Sequence, residues 1–173
     1  MLQPTLQGTT VLLCPLAEDD FDSLHAVASA PLIWAKHPSP NRYQKPVFEK
    51  WFLQAIHSKG ALVVTDLDTG QTIGSSRYYD WDKVNEEVAI GFTFLSRAYW
   101  GATTNGEMKK LMIDHALQSV KIVWFHVDPT NIRSKMALEK IGARFSHCAP
   151  KEISGKFNDY LFYTVSHNGD NIN

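Results

Sequence analysis

The chain has 173 residues, 44% hydrophobic and 20% charged, which supports a sizeable core and excludes a disordered polymer. Seventeen Lys and Arg against 18 Asp and Glu leave a formal charge of −1, so the balance calls for no nucleic acid and no anionic membrane as partner. Two cysteines, Cys14 and Cys148, lack metal-ligand spacing, no metal is expected, and a reduced, cytoplasmic setting is the simplest reading, with a disulfide left open.

The chain opens without a basic region and long apolar run, so no signal peptide is expected, and no apolar stretch is long enough for a membrane span. The length suits a single domain over residues 1–165, with a polar tail at 166–173. Thr9 to Leu16 reads as a first strand. Glu18, Asp19 and Asp20 open a helix, since acidic residues suit a first turn. Its apolar face is Phe21, Leu24, Val27 and Ala28. Pro31, Pro38, Pro40 and Pro46 confine the next region to loop with short helices at most. Val47, Phe48, Trp51, Phe52, Ala55 and Ile56 form a second amphipathic helix before Gly60. Ala61 to Leu67 and Thr72 to Tyr79 are strands joined by an Asp68-Thr69-Gly70 turn.

A turn at Asp80 to Asn85 leads into a strand over Glu86 to Leu95. Strict alternation puts Val88, Ile90, Phe92 and Phe94 on one face and Glu87, Ala89, Gly91 and Thr93 on the other. Then comes Arg97-Ala-Tyr-Trp-Gly-Ala-Thr-Thr-Asn-Gly-Glu107, where the spacing turns helical, with Met108, Leu111, Met112 and Ala116 on one face. Thr104 and Glu107 have the spacing of a capping box. A strand, a short polar loop and a helix start aim free N–H groups at one spot, which favours an anion. Lys121 to Val127 is an apolar strand. Asp128 to Asn131 turns the chain into a short helix with Ala137 and Leu138, and Gly142 stands where a C-cap glycine belongs. Ala143 to Cys148 and Asp159 to Val165 close the chain as strands. The order implies an α/β (α+β) layer, helices flanking a mixed, mostly antiparallel central sheet.

Ala-Ile-Gly-Phe at 89–92, Arg97-x-x-Trp-Gly101, and Asn131-x-x-Ser134 followed by Glu139-Lys-Ile-Gly-Ala143, in this order, resemble the GNAT superfamily of acetyl-CoA-dependent N-acetyltransferases. The RimJ/RimL-like branch is the most similar. The likeness runs from about Thr9 to about Val165. It implies the GNAT fold, acetyl-CoA as acetyl donor, and a primary amine as acceptor, either a protein N-terminus or a small amine. A homodimer stays open.

By the resemblance, the loop Arg97, Trp100, Gly101, Ala102, Thr103, Thr104 and Asn105 holds the CoA pyrophosphate. The main chain at Phe94, Leu95 and Ser96 pairs with the pantetheine arm, and Asn131 bonds the same arm or orders its turn. The family loop usually has a second glycine where this chain has Thr103, whose β-branch resists positive φ. A tyrosine acid common in the family falls at Leu138 and is absent. Ser134 matches a serine that supports the leaving thiolate. The base is open between Glu87, His126, Glu152 and solvent, because the family's frequent glutamate falls at Ala89. Trp34, Tyr78, Tyr79 and Trp81, with Tyr43 and Trp51, supply aromatic walls for the acceptor. Asp80, Asp82, Glu86 and Glu87 form an acidic rim expected to attract a cationic amine. The rival reading is a non-catalytic GNAT-like CoA-binding or regulatory module.

Overall fold

In the computed structural model the described residues are 2–37, 39–101 and 103–167. Strands β1 (Leu6–Gln7), β2 (Val11–Pro15), β3 (Ala61–Asp66), β4 (Thr72–Asp82), β5 (Glu87–Leu95), β6 (Ile122–Val127), β7 (Arg144–Ile153) and β8 (Lys156–Ser166) form one sheet. Its order is β1-β2-β3-β4-β5-β6-β8-β7. Only β5 and β6 run parallel, joined by a crossover through helix α4 (Thr104–Ala116). Ser166, the first residue of the expected tail, pairs with Ile122, and residues 168–173 lie outside the described residues.

Helices α1 (Phe21–Ala28), α2 (Pro31–Trp34) and α3 (Lys45–His57) cover one face of the sheet. Helices α4 and α5 (Ile132–Lys140) cover the other. Strand β3 shows why both faces are needed. Leu62 and Val64 join the core under α4, while Ala61 and Val63 join the core under α1 and α3. A strand buried on both sides reads as a continuous apolar run, as Ala-Leu-Val-Val does here. The two-residue β1 was not foreseen in the sequence, and β7 and β8 extend beyond their expected ends into a longer hairpin. The two cysteines are free thiols in β2 and β7, far apart in the sheet order.

Strand β5 departs from the expected alternation at one residue. Ser75 pairs with Phe94 and Arg77 with Gly91, so Phe92 and Thr93 together oppose Ser76. This is a β-bulge, and Phe92 sits at φ 53°. The extra residue flips the phase. Val88 and Ile90 face α4, but Phe94 packs with Trp34 and Trp51 on the opposite face, and Leu95 returns to the α4 side. Phe92 likewise lies with Arg77 and Tyr79, away from α4. Positive φ at a bulky aromatic residue costs about 1–3 kcal/mol and persists only where the surroundings enforce it.

Part of that enforcement comes from α4. Lys109 is buried in the apolar face of the helix, between Met108, Met112 and Ile113. Its Nζ donates to Thr93 Oγ1 (2.5 Å) and Ser76 Oγ (3.3 Å), the two residues that face each other across the bulge. Ser76 and Thr93 also bond each other at 2.8 Å. Glu107 does not form the expected capping box. Its carboxylate accepts from the Thr9 and Thr10 N–H groups and from the Thr10 hydroxyl, tying the β1–β2 turn to α4. Desolvation works against its charge, but those donors hold the carboxyl below its ordinary value.

Burial lowers the Lys109 ammonium from 10.5 to about 7. The folded value lies below the unfolded one, so between these pH values the unfolded chain holds a proton that the folded chain lacks, and stability climbs with pH across that window. Unfolding midpoints measured from pH 7 to 10.5 rise in the wild-type chain. Lys109→Met flattens the rise while leaving the Ser76–Thr93 bond in place.

Candidate active site

Strands β5 and β6 pair only at Glu87 with Ile122, Val88 with Val123, and Ala89 with Trp124. Beyond Ala89 the strands part. β5 stays on β4 as far as Gly74 with Leu95, and β6 stays on β8 as far as Val127 with Leu161. The edge of β5 from Gly91 to Leu95 therefore borders a slot left where the two strands part. The bulge at Phe92 stands on the β5 side of this opening.

On the α4–α5 side, β5 runs into the loop that begins at Arg97. A 3-10 turn at Arg97–Tyr99 leads to Gly101 at φ 74°, where an added Cβ would meet nothing within 4 Å. Ala102 lies outside the described residues. Thr103 has φ −70° and ψ −18°, so the β-branch meets no conflict, and the loop takes its positive φ at Gly101. The Thr103 carbonyl accepts from the Glu107 N–H (2.9 Å), which places Thr103, Thr104 and Asn105 at the start of α4. Thr104 is buried and gives no side-chain cap.

Trp100 packs against both cores and its indole N–H donates to the Leu95 carbonyl (2.9 Å). Arg133 of α5 lies over the Trp100 ring at 3.8 Å and Arg97 at 5.5 Å. Arg133 was missed in the sequence. Its signal was available: a cation in the first turn of a helix opposes the dipole and calls for a separate reason. Asn131 caps α5, its Oδ1 accepting from the Ser134 N–H at 3.1 Å. Ser134 is half-buried in that first turn, and Leu138, at the position of the family tyrosine, is core.

These residues fit an acetyl-CoA molecule. Past Ala89 the β5 edge has no β6 partner, so its main chain would be open to the pantetheine amides, save the Leu95 carbonyl, which Trp100 occupies. The start of α4 has N–H groups that would suit phosphates, and Arg97 and Arg133, over the Trp100 ring, would add two cations.

On the opposite face lies an open cavity of about 510 Å³, bordered by Trp81, Glu87, Ala89, Trp124, His126 and Phe162 among others. Three expected site residues, Trp81, Glu87 and His126, meet here. Glu87 accepts the Trp124 indole N–H at 3.0 Å, at the end where β5 and β6 still pair. Tyr79 reaches across β5 to His126, with 2.6 Å between its hydroxyl and Nδ1. Gly91 permits this crossing, because a Cβ there would stand 2.9 Å from Tyr79 Cε1. Burial, with Lys151 nearby, lowers His126 from 6.5 to about 4, so the imidazole is neutral at pH 7. Burial also raises the Tyr79 phenol, with Asp80 and Tyr160 adding to the rise.

Tyr78 points the other way, as the next residue of a strand must. It is core under α4, its hydroxyl donating to the Met112 carbonyl at 2.7 Å. The water-sized cavity of about 10 Å³ beside it, near His115, is too small for a substrate. Trp34 is also core, its indole donating to the Ala28 carbonyl at 2.7 Å. The acidic rim is already partnered. Asp80 pairs with Lys151 (2.7 Å) and Glu86 with Lys121, while Asp82 accepts from Val84 and Asn85 of its own turn. Glu152 lies in β7, opposite Phe157 near the hairpin tip. Among the described residues no group of acidic, His and Cys side chains could hold a metal ion, and no helix is long and apolar enough to cross a membrane.

Comparison with known proteins gives the same fold. A family model described as "Acetyltransferase (GNAT) domain" matches residues 10–144. No curated protein matches the chain by sequence. A GCN5-related N-acetyltransferase from Brucella melitensis superposes with TM-score 0.81 at 21% identity, over 95% of this chain and 79% of that one. The microcin C7 self-immunity acetyltransferase MccE, in complex with acetyl-CoA and AMP, gives 0.78 at 14% identity, over 96% and 98%. RimJ from Mycobacterium smegmatis, in complex with CoA-disulfide, gives 0.69 at 17% identity, over 90% and 81%. The eight-stranded, mostly antiparallel sheet with helices on both faces is the fold these proteins share, and the chain belongs to the GNAT acetyltransferase family, whose acetyl donor is acetyl-CoA.

Proposed function

We propose that this chain transfers an acetyl group from acetyl-CoA to the nitrogen of a primary amine, by direct attack with both substrates bound. The observation that carries this reading is the slot between β5 and β6, which lets a donor held on the α4–α5 face meet an acceptor held on the opposite face. When bound, acetyl-CoA supplies the activated thioester. The chain's residues do the rest. Thr103, Thr104 and Asn105 present the helix start, Arg97 and Arg133 the positive charge, and the β5 edge at Phe94, Leu95 and Ser96 the main-chain partners. Ser134, in the first turn of α5, is the hydroxyl that supports the leaving sulfur. Holding two reactants in register supplies much of the acceleration in such reactions.

On the acceptor side, Tyr79 occupies His126 Nδ1, which leaves Nε2 as the ring atom offered to the amine. Glu87 and Trp81 border the same cavity. Kinship with the RimJ branch rests on the RimJ superposition and on the serine at position 134. A second reading, a CoA-binding module without transfer, is favoured by Leu138 and Ala89, two buried apolar residues at the positions where the family often carries its acid and its base.

Thiol release from acetyl-CoA, measured across a panel of primary amines, tests the reading. Amine-dependent release supports transfer. Acetyl-CoA that raises the melting temperature, with no amine accelerating release, leaves the binding module. Ser134→Ala lowers kcat by about tenfold or more with little change in KM, the pattern of a group acting on a proton in the transition state. A kcat/KM profile shows no inflection near 6.5; His126 is neutral above about 4, and activity carried by the neutral ring falls only as pH drops through that value. Lys151→Met removes the nearby cation and frees Asp80, and it moves the inflection up toward the ordinary histidine range.

A further inference from the structure

The face opposite α4 carries two buried cations that the reaction above leaves without a task. Arg77 of β4 and Arg42, in the turn before α3, are 6% and 8% exposed. Their neighbours are aromatic. The Arg77 guanidinium lies over Phe92 at 4.4 Å and Trp51 at 5.6 Å, and Arg42 lies over Trp34 at 5.0 Å and Trp51 at 5.8 Å. Among the described residues no carboxylate stands within ion-pair distance of either. The polar contact of Arg42 is Nη1 to His37 Nε2 at 3.5 Å, and His37 is itself held neutral at pH 7, its pKa lowered to about 4 by burial and by Arg42.

Arg77 Nε and Nη2 and Trp51 Nε1 are buried with no hydrogen-bond partner. All three are donors. A fold gains nothing by burying two like charges and three idle N–H groups together. Burial lowers both guanidiniums to about 10, and Arg42 adds to the fall at Arg77. Buried cations are ordinarily paired, and an unpaired one costs several kcal/mol. What this cluster lacks is an acceptor with negative charge.

Its place in the fold says which molecule brings one. Arg77 stacks on Phe92, the bulged residue beside the slot, and Phe92 stands 5.0 Å, ring to ring, from Tyr79, the partner of His126. Resting on the acetyl-transfer reading, we propose that Arg42, Arg77 and Trp51 bind an anionic group of the acceptor, so that the substrate class is a primary amine that also carries a carboxylate or a phosphate. Arg77 Nε and Nη2 offer a forked pair of donors to such an anion, Trp51 Nε1 offers a third, and Arg42 adds a second charge beside the same indole. The acids near the β4–β5 turn, partnered as they are, leave the positive cluster as the charged feature that selects the acceptor.

Two measurements test this. In the first, the wild-type chain is heated with inorganic phosphate or with succinate against sodium chloride at matched ionic strength. Either anion raises the melting temperature by a few degrees, and Arg77→Met, which removes the unpaired charge, shows no such response. No rise in the wild-type chain over the chloride control overturns the proposal, as does an equal rise in Arg77→Met.

In the second, acetyl transfer to β-alanine and to phosphoethanolamine is compared with transfer to ethanolamine. One of the two anionic amines exceeds ethanolamine in kcat/KM by roughly tenfold or more, the scale of a hydrogen bond to a charged group. Which one it is separates carboxylate from phosphate. In Arg42→Met and Arg77→Met that ratio collapses. A wild-type ratio near one, or a ratio that survives both substitutions, overturns the proposal. Acetyl-CoA binding by calorimetry separates the two readings: if acetyl-CoA fails to bind, the acetyl-transfer reading falls, while the anion titration still decides the fate of the arginine site.

Discussion

The structure depends on one backbone irregularity, the bulge that puts two residues of β5 opposite Ser76 of β4. Without it, β5 would present the same face along its whole length. With it, Phe92 and Phe94 turn to the α1–α3 side while Leu95 stays under α4. Bulges bend and twist a strand. β5 therefore follows β4 away from β6 after three paired residues, and the sheet opens where a parallel pair would otherwise continue. Lys109, Thr93 and Ser76 brace the irregularity from beneath, and Arg77 and Tyr79 pack on Phe92 from above.

The opening gives two faces with different chemistry. The α4–α5 face holds a helix start, a positive-φ glycine and two arginines flanking Trp100, a setting for phosphates. The other face holds a neutral histidine bonded to a tyrosine and, past Phe92, two buried guanidiniums with no ion pair among the described residues, with idle donors on Arg77 and Trp51. On the reading proposed above, these are the donor and acceptor sides of one reaction. Groups that lower stability without local reward tend to mark function, because only a bound partner completes them. Phe92 at positive φ and the Arg42–Arg77 pair belong to this class, whereas Lys109 has its partners within the fold.

Much of the fold was legible because the local signals agreed with the final arrangement. The Pro-rich region is loop with the short α2, α3 follows its apolar spacing, and Gly142 takes the positive φ (81°) expected just past α5. The phase of β5 was not legible. Strict alternation carries no mark of a bulge inside Ile-Gly-Phe-Thr-Phe, and the inserted residue moves Phe92 and Phe94 to the other face. The capping box at Thr104 and Glu107 was a sound local pattern that a distant contact overrode, since the Thr9 and Thr10 N–H groups compete for the same carboxylate. Two buried cations did leave a trace: Lys109 interrupts an apolar helix face, and Arg77 follows Ile-Gly-Ser-Ser in a strand buried on both sides. Charge within an apolar stripe was the sign to follow. The sheet neighbour of Tyr79, and so its bond to His126, had no sequence signal at all.

On the reading proposed above, the bulge and the parting of β5 from β6 build the acetyl-CoA slot. A crystal structure of the chain grown with acetyl-CoA tests it most directly. The expected density places the pantetheine arm between β5 at Phe94–Ser96 and β6 at Phe125–Val127, the pyrophosphate at Gly101 to Asn105 with Arg97 and Arg133, and the sulfur near Ser134. Acetyl-CoA bound elsewhere, or β5 and β6 paired along their full length with Phe92 back in regular strand geometry, would contradict it.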